Sequence, residues 1–263
     1  MRDFDKGHTK TIGEAGDHGG RPGRSQNQVR QMFNRISPHY DLVNRLLSFG
    51  TDVSWRRKMA YFLPGHKDQH LLDLATGTAD QILTLFDQTD KVMSGIGMDL
   101  AEKMLEIGRK KIERRGLSEV ITLKVGDATA IPLGDETFDV VTISFGIRNV
   151  THVAKGIGEM YRVLKPGGRV LVLEFSLPRH QLVRGAYLFY LRHILPHVGA
   201  WVSGAPLAYR YLNETIETFP YGEAFCNVLR AEGFKAVEAH PLTFGVATIY
   251  RGDKPVEGRM AGF

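Results

Sequence analysis

The chain has 263 residues, 43% of them hydrophobic and 24% charged, a balance that excludes a disordered chain and leaves room for one sizeable core. A formal charge of +5 and a pI near 9.3 favour an anionic partner only weakly, and the two densest basic clusters, Arg56-Arg57-Lys58 and residues 109–115, read as solvated helix faces. The single cysteine, Cys226, excludes an internal disulfide and a cysteine metal site, and no apolar run approaches the roughly 20 residues of a membrane span.

Residues 1–25 carry glycines and scattered charges with almost no large apolar side chains, so a disordered tail is expected there, and a flexible tail at 255–263. A single domain is expected over 26–254. It opens with a helix in which Val29, Met32, Phe33 and Ile36 recur at spacings of three and four until Pro38 ends the run. Short helices at 41–47 and 53–62 complete a helical cap over 26–65. The rhythm then changes to short apolar runs alternating with amphipathic helices, the pattern of a parallel sheet wound by crossovers. Strands are expected at 70–75, 92–98, 121–125, 138–144 and 169–175, and the clearest helices at 101–115 and 153–164. Lys165-Pro166-Gly167-Gly168 reads as the turn that closes the second helix. A mostly helical insertion at 181–219, with Tyr187, Phe189, Tyr190, Trp201, Tyr209 and Tyr211, is too long for a plain connection. Runs at 236–242 and 246–250 are expected to form an antiparallel hairpin at the sheet edge.

The strongest local signal is the run from Leu71 to Asp80, LLDLATGTAD, an apolar strand entering a small-residue turn and then a helix. Ligands of open α/β sheets bind beyond the carboxyl ends of strands, where such a turn lets a cofactor approach the backbone. One glycine turn is weak evidence; the spacing of the acids strengthens it. Asp73, Asp99 and Asp127 fall at the ends of three successive strands. Asp99 can accept both ribose hydroxyls of an adenosine, and Asp127 the adenine amino group. Each acid alone reads equally as a cap or turn former; three together favour a nucleoside. A dinucleotide is disfavoured, because its glycine-rich turn seats a pyrophosphate on the helix N-terminus and the matching positions here are Thr76, Thr78 and Asp80. A carboxylate at Asp80 would repel phosphate and suit an ammonium group, which points to S-adenosylmethionine.

With these motifs on view, the chain resembles the ubiquinone and menaquinone biosynthesis C-methyltransferase family, from near Gln28 to Lys254. The resemblance rests on Val29 to Phe33, on Tyr40-Asp41-Leu42-Val43-Asn44, and on the run from Thr142 to Val150, TISFGIRNV. It continues in Met160 to Gly168, MYRVLKPGG, in Leu173-Glu174-Phe175-Ser176 and in Tyr209-Arg210-Tyr211-Leu212. It implies an α/β fold of the Rossmann-like class I methyltransferase type, with a mostly parallel seven-stranded sheet, helices on both faces and an antiparallel C-terminal edge hairpin. It places S-adenosylmethionine against Thr78, Asp99, Asp127 with Ala128, and Ser144, beside Asp73 and Gly77 of the turn. Two positions depart from the family pattern: Ala79 stands where glycine is usual, and Asp127 where asparagine is frequent.

The implied reaction is methylation of a ring carbon of a polyprenyl quinol, with demethylmenaquinol the preferred acceptor and a methoxy-polyprenyl-benzoquinol the alternative. Ring carbons are poor nucleophiles until a hydroxyl loses its proton. Arg148 is expected to stabilise the developing quinolate, Asn149 to hold a ring oxygen and Tyr40 to close over the quinol; an ion pair and a core aromatic are the plainer readings of Arg148 and Tyr40. The aromatic insertion is expected to bind the isoprenoid tail or to dip into a bilayer surface. A cytoplasmic protein is expected, peripheral on the inner membrane face, as a homodimer or in association with other quinone-biosynthesis enzymes. Nucleic acid is not an expected partner: the fourth strand ends in Ser144-Phe145-Gly146-Ile147 rather than Asn-Pro-Pro-aromatic, and the basic clusters lack interleaved aromatics. No metal is expected, since Pro196 breaks the helix between His193 and His197. A catalytically silent cofactor-binding scaffold is the reading from outside the enzymes, and Arg148-Asn149 weighs against it.

Overall fold

The computed structural model describes residues 26–37, 40–196 and 206–256. The expected terminal tails fall almost wholly outside these residues, as do His197 and Trp201. A seven-stranded sheet forms the centre, in the order β3-β2-β1-β4-β5-β7-β6. Its strands are β1 (Gln69–Leu74), β2 (Val92–Asp99), β3 (Ile121–Val125), β4 (Phe138–Ser144), β5 (Leu164–Phe175), β6 (Lys235–Leu242) and β7 (Ala247–Asp253). β1 to β5 pair in parallel, and β7 runs antiparallel between β5 and β6. The mixed sheet with its edge hairpin therefore agrees with the sequence reading. The chain winds outward from β1 to β3, then returns to β4 on the other side of β1, so the strand order reverses between β1 and β4. In such sheets the ligand crevice lies beyond the carboxyl ends of those two strands.

Burial on both faces explains why β4 and β5 are continuous apolar runs: Val140, Val141, Ile143 and residues 170–173 are fully buried. Alternate residues feed two clusters. Leu71, Val140, Leu171 and Ile249 pack on one face with Ile82 of α4 (Asp80–Gln88) and Leu105 of α5 (Glu102–Arg114). Leu72, Val141, Ile143 and Val172 pack on the other with Met160 of α6 (Val153–Val163) and Phe225 of α9 (Glu223–Ala231). Truncating Ile143 to alanine would cost about 2–5 kcal/mol. α5 is helical because Met104, Leu105, Gly108 and Ile112 recur on one buried side, with Glu102 in its first turn and Lys111 and Arg114 in its last, as the helix dipole favours.

The N-terminal cap consists of α1 (Gln26–Ile36), α2 (Tyr40–Leu47), α3 (Asp52–Lys58) and a 3-10 turn (Met59–Phe62). The insertion supplies α7 (Gln181–Phe189), a π-helical turn (Tyr190–Ile194) and α8 (Pro206–Thr218). Three details differ from expectation. Lys165 to Gly168 is no simple turn: it interrupts the β4–β5 register inside β5, with Gly167 at φ +79°. β7 extends to Asp253 because it pairs on both sides and Asp253 meets Arg169 at 2.5 Å. Finally, the Arg56-Arg57-Lys58 cluster is not a solvated face throughout. Arg57 and Lys58 are exposed, but Arg56 is buried with Trp55, because helical spacing puts it on the side that faces the sheet rim.

Candidate active site

The carboxyl rim at the switch point is built from strained backbone. Ala75, Gly77 and Ala79 after β1, and Phe145 after β4, all have φ between 47° and 68°. For each residue with a Cβ this conformation costs roughly 1–2 kcal/mol, and such strain collects where surrounding packing enforces a functional shape. Ala79 at φ 68° marks where glycine would sit without strain, which gives the family departure at this position a physical cost. Gly146 answers a different need: a Cβ there would lie 2.4 Å from that of Ala75, so glycine lets the two turns meet.

Asp99, at the end of β2, ties the rim together. Its Oδ2 accepts from the Gly77 N–H at 2.9 Å and its Oδ1 from the Ala101 N–H at 2.8 Å. Burial pushes its carboxyl up, against the pull of those N–H groups. Each carboxylate oxygen has a second lone pair, so both can still take a hydroxyl. Asp127 follows β3, and its Oδ1 accepts from the Thr129 N–H at 2.8 Å, the turn-forming bond anticipated for a free-standing acid.

Both acids border an open cavity of about 720 Å³, counting the space it shares with solvent. Gly77 and Ala128 line it too, as do Phe145, Gly146 and Asn149 from the β4 end. Part of its wall lies outside the residues expected from the sequence: Val29, Arg30 and Phe33 of α1, Leu100, and Met104 of α5. The amphipathic spacing that revealed α1 also selected Val29 and Phe33, but periodicity cannot distinguish a core-facing stripe from a ligand-facing one.

The other predicted cofactor residues, Asp73, Thr78 and Ser144, do not reach that wall. They line a smaller, narrow polar chamber, about 250 Å³ counting space open to solvent, with Arg56, Asp80 and Gln81, and Ala75 borders both spaces. Asp73 accepts from Thr76 and Thr142, each at 2.6 Å, yet burial pushes its carboxyl up to about 6. Ser144 donates to Gln81 at 3.0 Å. Thr78 donates to Asp41 of α2 at 2.7 Å and accepts from Lys111 at 2.9 Å. Asp80, expected to meet an ammonium group, is held by Lys111 at 2.7 Å and Arg45 at 3.5 Å. Burial alone would raise its carboxyl, but Lys111, Arg56 and Arg45 bring it below the usual carboxylate range.

Arg148 belongs to neither lining. It lies in the 3-10 turn Ile147–Asn149, 5% exposed, with Nη1 donating to Glu174 and to the Phe145 carbonyl, both at 2.6 Å. Glu174 is fully buried and also accepts from the Phe175 N–H at 2.8 Å. Asn149 is on the cavity wall, and Tyr40 is the first residue of α2. α8 packs against the Ile147–Asn149 turn, and Tyr187 and Leu191 of the insertion join Phe145 and Phe175 in one apolar cluster. Cys226 is buried in the opposite cluster and burial raises its thiol, in keeping with a structural side chain.

The chain matches the ubiE/COQ5 methyltransferase family over residues 22–254. It is 47% identical over 224 residues to the demethylmenaquinone methyltransferase of Thermus thermophilus, covering 85% of this chain and 100% of that one. It is 43% identical over 227 residues to the ubiquinone/menaquinone biosynthesis C-methyltransferase UbiE of Geobacter sulfurreducens, covering 86% and 88%. Among solved structures it is similar in fold to an SAM-dependent methyltransferase, a possible histamine N-methyltransferase, of Thermotoga maritima, with TM-score 0.61, 20% identity and coverage of 85% and 99%.

Proposed function

The chain belongs to the ubiE/COQ5 methyltransferase family, and from that membership we propose that it transfers a methyl group from S-adenosylmethionine to a ring carbon of a polyprenyl quinol, with demethylmenaquinol as the acceptor. The observation that carries the reading is a single cavity bordered by Asp99 and Asp127 on one side and by the Phe145, Gly146 and Asn149 turn on the other. Two carboxylates at adjoining strand ends suit the ribose and adenine of the cofactor, and Leu100, Met104 and Phe33 offer it apolar walls. When bound, the cofactor supplies an already activated methyl on sulfur. The protein's part is to align the acceptor carbon with it, to favour the deprotonated ring and to exclude water.

On the acceptor side, Asn149 is assigned to a ring oxygen, since it lines the cavity. Arg148 sits behind that wall, bonded to Glu174 and the Phe145 carbonyl, which favours fixing the turn that carries Asn149 over touching the quinolate. Tyr40 is assigned to the acceptor on the family resemblance; the Asp41–Thr78 bond one residue later ties the start of α2 to the turn after β1. Asp73, Thr78 and Ser144 are assigned to the cofactor end that enters the smaller chamber.

Among the described residues no helix is long and apolar enough to cross a membrane. The insertion nonetheless exposes Leu182, Phe189 and Ile194 beside exposed Arg179 and Arg184, an apolar and basic combination suited to an anionic bilayer surface. Peripheral association through α7 would bring a tailed quinol to the site. The test of function is to supply each reduced quinone, naphthoquinol and methoxybenzoquinol, with isotopically labelled cofactor and to identify the product by mass. One added methyl on the naphthoquinol ring is expected; label on the benzoquinol alone reassigns the acceptor, and label on neither refutes the reading.

A further inference from the structure

The smaller chamber contains a buried guanidinium that has Asp52, Asp73 and Asp80 around it yet keeps one donor unused. Arg56 is 6% exposed, and its Nε is buried with no hydrogen-bond partner. The carboxylate of Asp52 is 3.8 Å from that Nε, beyond hydrogen-bond length, and is already taken by Arg45 and by Ser48 at 2.9 Å. The other acids of the chamber are likewise engaged, Asp73 by two threonine hydroxyls and Asp80 by Lys111 and Arg45. A guanidinium removed from water with a donor unused is costly unless an anion completes it.

The surroundings narrow the identity of that anion. With Asp73 and Asp80 in the same chamber, a phosphate would meet two carboxylates, whereas an α-amino acid brings a carboxylate for Arg56 and an ammonium for the acidic side. Ala75 borders both this chamber and the larger cavity with Asp99 and Asp127, so an amino acid here can be continuous with a nucleoside there. The ring of Phe145, 5.2 Å from the guanidinium carbon, supports the flat face of Arg56 and leaves its edge to bind.

We propose that Arg56 receives the α-carboxylate of the cofactor's methionine moiety, with the chamber between Arg56 and Asp73 as the seat of its amino-acid end. This rests on the cofactor reading above and adds to it the residue that recognises the amino acid.

The test is calorimetric and needs no turnover. S-adenosylhomocysteine and 5′-methylthioadenosine, which lacks the amino-acid end, are titrated into the parent protein, Arg56→Gln and Arg56→Lys. Loss of one charge-assisted contact predicts roughly 10- to 100-fold weaker S-adenosylhomocysteine binding to Arg56→Gln, partial recovery in Arg56→Lys, and methylthioadenosine affinity within about twofold of the parent. Equal weakening of both ligands, or of neither, overturns the assignment. The methyl ester of S-adenosylhomocysteine provides a second measurement on the parent protein alone: it should bind weaker by a similar factor, and unchanged affinity refutes the role of the carboxylate even if no variant folds. Failure of the parent to bind either nucleoside would instead overturn the cofactor reading itself.

Discussion

Replacing Arg148 with methionine keeps an unbranched side chain of similar length but leaves Glu174 without its cation. Glu174 is fully buried, and after the change its remaining bonds are the Phe175 N–H at 2.8 Å and a long 3.4 Å contact from the backbone N–H of residue 148. Breaking a buried ion pair from one side costs about 3–5 kcal/mol, and the abandoned Phe145 carbonyl adds about 1 kcal/mol. Against a total stability of about 5–15 kcal/mol, the variant should be marginal, with its melting temperature lowered by roughly 10 °C. Urea denaturation of the parent, Arg148→Met, Glu174→Leu and the double variant closes the cycle. The double variant should recover most of the loss, giving a coupling above about 2 kcal/mol. A destabilisation of Arg148→Met below about 1 kcal/mol, or no coupling, would refute a buried pair that holds the β4-end turn. Measured in the double variant, where stability is restored, methyl transfer should stay low while S-adenosylhomocysteine binds normally. Lost cofactor binding would remove Arg148 from the acceptor side.

Asp99→Ala should weaken S-adenosylhomocysteine by roughly 10- to 100-fold in calorimetry, since a buried acceptor for two hydroxyls is lost, and affinity within twofold would free Asp99 from the ribose. Gly146→Ala puts a methyl 2.4 Å from the Ala75 Cβ, so chemical denaturation should show a loss of about 1–3 kcal/mol, with weaker nucleoside binding where the two turns meet. For Asp73, the carboxyl rises from 3.8 to about 6 in the folded chain, so the folded state retains a proton that the unfolded state has released. Stability from this group is therefore present at low pH and lost as pH rises through about 6, by about 3 kcal/mol in all. Asp73→Asn, which does not titrate, should gain relative to the parent between pH 4.5 and 7.5 in urea denaturation; a difference that stays flat across that range contradicts the shift. Leu182→Glu with Phe189→Glu should abolish co-sedimentation with anionic liposomes at unchanged melting temperature, and undiminished binding would move the membrane contact away from α7.

Much of the architecture is written in local pattern. Alternating apolar runs and 3.6-residue stripes require a covered parallel sheet, whatever the sequence later does with it, and the acids at 73, 99 and 127 must stand at strand ends because the strands stop there. The positions of Asp99 and Asp127 on one cavity follow almost directly, since adjacent parallel strands end on the same rim. Side-chain partnerships are a different matter, because they depend on residues distant in the chain. Arg56 looked like one of three solvated charges, and only the packing of α3 on the rim buries it 17 residues before Asp73 and beside it in space. Arg148 looked ready for a quinolate until folding brought Glu174, 26 residues on, within 2.6 Å. Thr78 and Ser144 share no wall with Asp99, because they line the polar chamber while Asp99 borders the larger cavity.

By itself, then, the sequence determined the order of elements, the sheet class and the rim on which chemistry can occur, because these follow from the period of hydrophobic residues and from where strands must end. Tertiary structure alone decided which charges neutralise one another and which buried donor, the Arg56 Nε, is left unused. Pairing energies depend on distance and burial, and both are set only when separate segments of chain pack together.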